Sequence, residues 1–164
     1  MPDQATILLV EDQEDDIFVI THAFERGCIE NPLRVVRDGE EAIAYLNGDG
    51  IFADRGEFPI PGLVLMDLEL PRLNGFDVLR WIRQQPHLSA LRVIVLTAST
   101  NIRDVNLAYQ LGANSFLVKS EDFQQLVALG RTLSTFWLPP MPEPPTPRPP
   151  GDSPSPPPPP QPTA

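Results

Sequence analysis

Cysteine is almost missing from this 164-residue chain: Cys28 stands alone, so no intrachain disulfide can form and packing must hold the fold. Basic residues are also scarce. The 12 Lys and Arg face 22 Asp and Glu, a net charge of -10, and a polyanion such as duplex nucleic acid would be repelled. Apolar runs are short, Leu63 to Met66 being typical, whereas a bilayer demands roughly 20 residues. No membrane span is expected. No charged-then-apolar leader opens the chain, so the expected compartment is the cytoplasm.

Proline is abundant but badly distributed, with 15 of its 21 copies in residues 139–164. Proline fixes φ and has no N–H to donate, so this tail can form neither a helix nor a central strand. It is expected to be disordered: extended, solvated and without a fixed shape. The foldable part is residues 1–138, one domain of ordinary size, with 11 Lys and Arg against 20 Asp and Glu, a net of -9. Hydrophobic residues are 41% of the chain and nearly all lie in that part, enough to bury a core.

Within the domain one pattern repeats five times. Ile7 to Val10 is an apolar, β-branched run that reads as a strand buried on both faces. From Glu14, Ile17, Ile20 and Phe24 recur at helical spacing behind an acidic first turn, with Gly27 as the stop. The following pairs are Leu33–Val36 with helix Glu40–Leu46, Leu63–Met66 with Gly75–Gln84, and Val93–Leu96 with Val105–Leu111. The last is Phe116–Val118 with Phe123–Phe136, interrupted by Gly130. Five alternating units without a hairpin predict a doubly wound α/β parallel sheet with helices on both faces. Asn47 to Pro61 is the one long connection and reads as surface decoration.

Ligands of such sheets bind beyond the carboxyl ends of the strands. Those ends carry Glu11 and Asp12, then Asp67, then Thr97, then Lys119. Three carboxylates in one crevice repel each other unless a cation joins them, and all-oxygen ligands favour Mg²⁺. Mg²⁺ commonly links protein carboxylates to phosphate oxygens, and an aspartate can accept a phosphoryl group as a nucleophile. On this reading Asp67 attacks phosphorus, Asp12 and Glu11 hold or position the metal, and Lys119 and Thr97 bind phosphoryl oxygens. The bland alternative makes the acids solvated helix caps, Thr97 a strand residue and Lys119 surface charge. It explains each residue singly but not their joint placement.

At this point the residues resemble a family. Leu9-Val10-Glu11-Asp12, Leu65-Met66-Asp67-Leu68 with Pro71 and Gly75, Leu96-Thr97-Ala98-Ser99, Gly112-Ala113-Asn114 and Phe116-Leu117-Val118-Lys119 resemble response-regulator receiver domains, over residues 5–136. Val36 to Ala42, the Asn47–Pro61 loop, Leu70-Pro71-Arg72 and Phe136-Trp137-Leu138 are similar to stand-alone regulators partnered with bacterial and cyanobacterial phytochrome histidine kinases. The resemblance implies a flavodoxin-like (βα)5 fold with strand order 2-1-3-4-5 in a CheY-like superfamily. It implies a signalling role, not an enzyme: Asp67 takes a phosphoryl group from a sensor histidine kinase in a Mg²⁺-dependent step.

Carried over residue by residue, Asp12 and Asp67 would ligate the metal, Glu11 would assist directly or through water, and the Glu69 carbonyl would complete the set. Thr97 and Phe116 correspond to a switch pair, the hydroxyl turning toward phosphate and the ring moving inward behind it. The face made by the fourth helix, fifth strand and fifth helix would then change shape, with Tyr109, Leu117 and Phe123 as candidates for an apolar, dimer-forming patch. Two departures stand out. Ser120 follows Lys119 where the family usually has a cis proline, so the peptide is either a strained non-proline cis bond, costing about 3 kcal/mol, or trans. Phe116 replaces a common tyrosine and drops its hydroxyl. Glu69 and Ser99 sit where the family tunes water access to the acyl phosphate.

Two rival functions fit parts of the pattern. A haloacid-dehalogenase-type phosphohydrolase would want Asp-x-Asp after its first strand, whereas this chain has Asp67-Leu68-Glu69 after its third. A phosphate-independent receiver-like binding module would not need Asp12, Asp67, Thr97 and Lys119 together. His22 and His87 read as ordinary surface or core residues.

Overall fold

The structure, a computed structural model, describes residues 4–138. The proline-rich tail expected over 139–164 lies outside the described residues. Five strands, β1 (Ile7–Val10), β2 (Leu33–Val36), β3 (Leu63–Met66), β4 (Arg92–Thr97) and β5 (Ser115–Val118), form one sheet of order β2-β1-β3-β4-β5. Every pairing is parallel. Helices α1 (Glu14–Arg26), α2 (Gly39–Asn47), α3 (Gly75–Gln84), α4 (Ile102–Gln110) and α5 (Phe123–Thr132) connect them. This is the doubly wound parallel sheet that the repeating strand and helix pattern predicts, in the flavodoxin-like strand order that the family resemblance implies.

The runs ILLV and LVLM of β1 and β3 are wholly buried because helices cover both faces, whereas edge strands β2 and β5 are only half-buried. Side chains alternate across the sheet. Leu8, Val10, Val64, Met66, Val93 and Val95 pack with α2, α3 and Ala108 of α4, while Ile7, Leu9, Leu63, Leu65, Ile94 and Leu96 pack with α1 and α5. The ladder runs one residue past the strands: Glu11 N donates to Val36 O (3.0 Å), Asp67 N to Val10 O (3.0 Å) and Lys119 N to Thr97 O (2.8 Å). That extra bond fixes the backbone of each candidate site residue at the strand end.

Asp38, Asn74, Asn101 and Asp122 cap the N-termini of α2, α3, α4 and α5 by accepting backbone N–H bonds. The Asn101 cap explains why α4 begins at Ile102 and not at Val105. Ile102 is 66% exposed, so the apolar period misses the first turn. Helix α5 also differs from the expected Phe123–Phe136: it ends at Thr132 and widens into a π-helical turn, Leu133–Trp137. Leu133 and Leu138 are both buried in the α1/α5 core, and a five-residue spacing suits the wider turn, closed by Leu138 N donating to Leu133 O (3.0 Å). Gly130 does not interrupt the helix. A Cβ there would come within 2.8 Å of the Phe24 ring, so glycine lets α5 lie close on α1.

The Asn47–Pro61 connection holds a 3₁₀ turn at Gly50–Ala53, with Phe52 and Phe58 against Tyr45 at centroid distances of 5.1 and 5.9 Å. Arg55 donates to the carbonyls of Tyr45 and Leu46 at 2.7 and 2.8 Å and so closes the end of α2. None of its residues lines the clefts at the strand ends. Gly75 matters more for the site. A Cβ there would sit 2.5 Å from the Asp67 carbonyl oxygen and 2.8 Å from Leu68 Cα, against rigid backbone. Gly75→Ala is expected to cost about 2 kcal/mol in urea denaturation, by forcing α3 away from Asp67.

Candidate functional site

Residue parity explains the convergence. Glu11, Asp67 and Lys119 continue the alternate residues that face α1 and α5, and their side chains meet there. Lys119 Nζ lies 2.6 Å from Glu11 Oε2 and 2.6 Å from Asp67 Oδ2. Glu11 is 1% exposed and Asp67 6%, so both charges are withdrawn from water. Glu11 Oε1 accepts from Gln13 N at 3.1 Å, and Asp67 Oδ1 accepts from Glu69 N at 3.1 Å. An open cleft of about 410 Å³ lies in front, lined by Asp12, Gln13, Asp16, Asp67, Glu69 and Lys119 among others.

Thr97 and Phe116 continue the opposite set of alternate residues, toward α3 and α4. Thr97 is wholly buried, and its Oγ1 accepts from Ser99 N at 3.4 Å; Phe116 is half-buried and packs on that core. The Ser99 hydroxyl donates to Asp104 Oδ2 at 2.6 Å, tying the loop after β4 to the first turn of α4. No cis peptide occurs among the described residues, so Lys119 to Ser120 runs trans. The Ser120 hydroxyl donates to Gln125 Oε1 (2.6 Å) and accepts from Asp122 N (3.1 Å), which ties the loop to the start of α5.

Of the side chains expected on the apolar face, Tyr109 and Phe123 are exposed, at 48% and 36%. Leu117 is not on that face: it is half-buried and packs on the α1/α5 core. Val118, one residue on and 49% exposed, takes the outward place that alternation assigns. His22 and His87 are exposed and outside the cleft. Trp81 and Trp137 pack against the two cores while Phe136 is 75% exposed.

One participant escapes the strand-end reading. Asp16 Oδ2 lies 2.9 Å from Lys119 Nζ, reaching it from the first turn of α1. The signal was available: Asp16 shares a helical stripe with Ile20, Ala23 and Phe24, which are buried. An acid on that stripe at the helix start must point toward the strand ends.

Burial pushes the Glu11 carboxyl up to about 7, with the Lys119 and Gln13 hydrogen bonds opposing and the Asp67 charge adding to the rise. For Lys119, burial disfavours the charged form, but hydrogen bonds to Asp67, Glu11 and Asp16 outweigh it and hold the ammonium above its ordinary range. Lys119 is thus charged throughout the neutral range. A carboxyl with a raised native pKa contributes stability fully below its ordinary 4.5 and loses it as pH rises through about 7. In chelator-containing buffer, Glu11→Gln is expected to remove this slope. Its stability relative to wild type should rise by roughly 3 kcal/mol at most between pH 4.5 and 8, measured by urea denaturation.

Among the described residues no three His, Cys, Asp or Glu side chains converge tightly enough to hold a metal ion. Lys119 draws Glu11 and Asp67 onto itself. The donor chemistry nonetheless fits a hard divalent cation, because Mg²⁺ uses one or two carboxylates, a carbonyl and several waters, not a closed cage. Asp12 and Asp67 share the cleft with Glu69, and all the acidic donors are oxygens.

A buried aspartate beside a strand-end lysine, on a sheet of order 2-1-3-4-5, defines a class. The chain belongs to the Response regulator receiver domain family, which matches residues 7–130. Response regulator Rcp1 of Synechocystis sp. is 37% identical over 132 residues, 80% of this chain and 88% of its own. The crystal structure of its Mn(2+)-bound form has a TM-score of 0.71, covering 82% of this chain and 94% of that one at 36% identity. The phosphorylated cyanobacterial phytochrome response regulator RcpA gives 0.74 at 36% identity over 82% and 94% of the two chains. RPA3017, a response regulator in red light signaling of R. palustris, gives 0.77 at 40% over 81% and 93%.

Proposed function

We propose that this protein is a single-domain response regulator of a two-component phosphorelay that accepts a phosphoryl group on Asp67 from a phytochrome-type sensor histidine kinase. The observation that carries this reading is the 2.6 Å contact between Lys119 Nζ and the buried Asp67 Oδ2 at the centre of the sheet's carboxyl edge. The phytochrome link is supported by the likeness to RcpA, Rcp1 and RPA3017. Residues 1–138 form the receiver domain on this reading, and 139–164 a proline-rich tail. The proposed setting is cytoplasmic; no helix of the described residues is long and apolar enough to cross a membrane.

In the step itself an Asp67 carboxylate oxygen forms the new O–P bond as the P–N bond to the kinase imidazole breaks, the imidazole leaving with the electron pair. Asp12 and Asp67 would hold Mg²⁺ with the Glu69 carbonyl, and Glu11 would support it directly or through water. Bound there, the cation would supply positive charge that offsets the charge of the phosphoryl group. Lys119 holds a phosphoryl oxygen. The new group adds close to two negative charges, which the Thr97 hydroxyl turns to meet as a donor, with Phe116 filling the space behind it.

The readout is a change in the α4, β5, α5 face. Ile102, Leu107, Tyr109, Val118 and Phe123 are exposed there, and contact of that face with a second copy or a protein target is the proposed output, with no nucleic acid involved. The test is intact mass after acetyl phosphate treatment. Wild type should gain one phosphoryl group only with Mg²⁺, and Asp67→Asn none. No gain in wild type would favour the phosphate-independent binding module.

A further inference from the structure

Three acids open α1, but they do different things. Glu14 pairs outward with Arg37 at 2.6 Å, whereas Asp16 turns back onto the site lysine at 2.9 Å. The Lys119 ammonium donates hydrogen bonds to Asp67 and Asp16 and lies against Glu11 as a close ion pair, so three carboxylates surround it. These partners are unequal. The Glu11 and Asp67 side chains are 1% and 7% exposed, while that of Asp16 is 42% exposed and makes the longest of the three contacts. Asp16 is therefore the partner Lys119 gives up at least cost, because water can replace the lost bond.

The pair also stands on a boundary. Asp16, Ala98 and Lys119 line both the cleft in front of Asp67 and a neighbouring, more apolar hollow of about 330 Å³ reaching Val19, Ile20 and Leu126. Any group entering the first cleft meets the Asp16 carboxylate beside the lysine it must reach.

We propose that Asp16 is a positioning residue for phosphoryl transfer: it holds Lys119 in the resting site, competes with the incoming phosphoryl oxygens for its N–H, and so sets the rate of phosphorylation. This role rests on Asp67 as the phosphoacceptor. With acetyl phosphate, an Asp67 oxygen bonds to phosphorus while the P–O bond to acetate breaks, and acetate leaves with the electron pair. Asp16 touches neither reactant. It acts through Lys119 and through its own negative charge beside an approaching dianion.

The test compares wild type, Asp16→Asn and Asp16→Glu in the full chain, with Asp67→Asn as control. Asp16→Asn is expected to take up phosphoryl from acetyl phosphate about fivefold faster at low salt, the advantage shrinking at high salt where charge is screened. Asp16→Glu, which keeps the charge, should return to within about twofold of wild type. A second readout needs no phosphoryl donor: in ¹⁵N-labelled protein the Lys119 ammonium protons should exchange with water faster in Asp16→Asn than in wild type. Equal rates and equal salt dependence in wild type and Asp16→Asn, with Asp67→Asn inert, would overturn the role of Asp16 and leave the phosphoacceptor intact. No uptake even in wild type would overturn both.

Discussion

Lys119→Met is expected to lose stability and phosphorylation together. Removing the ammonium leaves Glu11 and Asp67, both buried, facing each other without a cation, and breaking a buried pair from one side typically costs about 3–5 kcal/mol. That loss should be largest near pH 8 and smaller near pH 5, where the raised Glu11 carboxyl already holds a proton. Adding Mg²⁺ should recover more stability in the variant than in wild type, since a divalent ion binding only the native carboxylates stabilises by mass action. Phosphoryl uptake from acetyl phosphate should fall by roughly 100-fold, the usual effect of losing one preorganised group that neutralises developing charge. Urea midpoints at the two pH values and a time course of intact mass check both parts. An unchanged midpoint would mean that the lysine does not offset the buried carboxylates.

Arg83→Ala should be the most damaging change away from the site. From α3 the Arg83 guanidinium donates to the Gly112 carbonyl at 3.0 and 2.7 Å, to Leu91 O at 2.6 Å, to Ser89 O at 3.2 Å and to Asn114 Oδ1 at 2.9 Å. Asn114 Oδ1 in turn accepts from Val93 N at 2.8 Å, so one side chain ties α3 to the starts of β4 and β5. Gly112 has φ of 102°, and a Cβ there would sit 2.8 Å from Arg83 Nε, so the turn and the arginine require each other. Truncation strands several carbonyls at once and is expected to cost about 3 kcal/mol. Arg83→Lys should recover less than half, because one ammonium cannot serve a fork of partners. Urea denaturation reads both, and acetyl phosphate uptake at low temperature should survive in whatever fraction stays folded.

Much of this was legible before any coordinates. The runs ILLV, LVLM and VIVL read as strands buried on both faces, and Glu11, Asp67 and Thr97 directly follow them, while Lys119 follows the half-buried edge strand β5. Glu11, Asp67 and Lys119 are each held by one ladder bond beyond the strand, and a slip of one residue in a strand's register would turn its site residue to the other face. The family resemblance added strand order and roles, which pattern alone could not supply.

What escaped the sequence has physical reasons. Asp16 is one of three consecutive acids, and only the helical phase of Ile20, Ala23 and Phe24 separates it from Glu14 and Asp15. Leu117 looked like a surface residue on an edge strand, yet alternation turns it toward α5 and puts Val118 outside. The π-helical turn at Leu133–Trp137 follows from the burial of Leu133 and Leu138 and from Arg92 donating to the Trp137 carbonyl at 2.7 Å. Both are tertiary facts. The role of Arg83 is tertiary as well, since its acceptors lie 6 to 31 residues away in sequence.

Phosphate is expected on Asp67. The direct measurement is borohydride reduction of the acetyl phosphate-treated protein followed by peptide mass mapping, because hydride converts an aspartyl phosphate to homoserine and leaves free carboxylates and phosphohistidine alone. Homoserine is expected at position 67 and nowhere else, dependent on Mg²⁺. Homoserine at Asp12 or Asp16, or a retained phosphoryl group on His22 or His87, would contradict it.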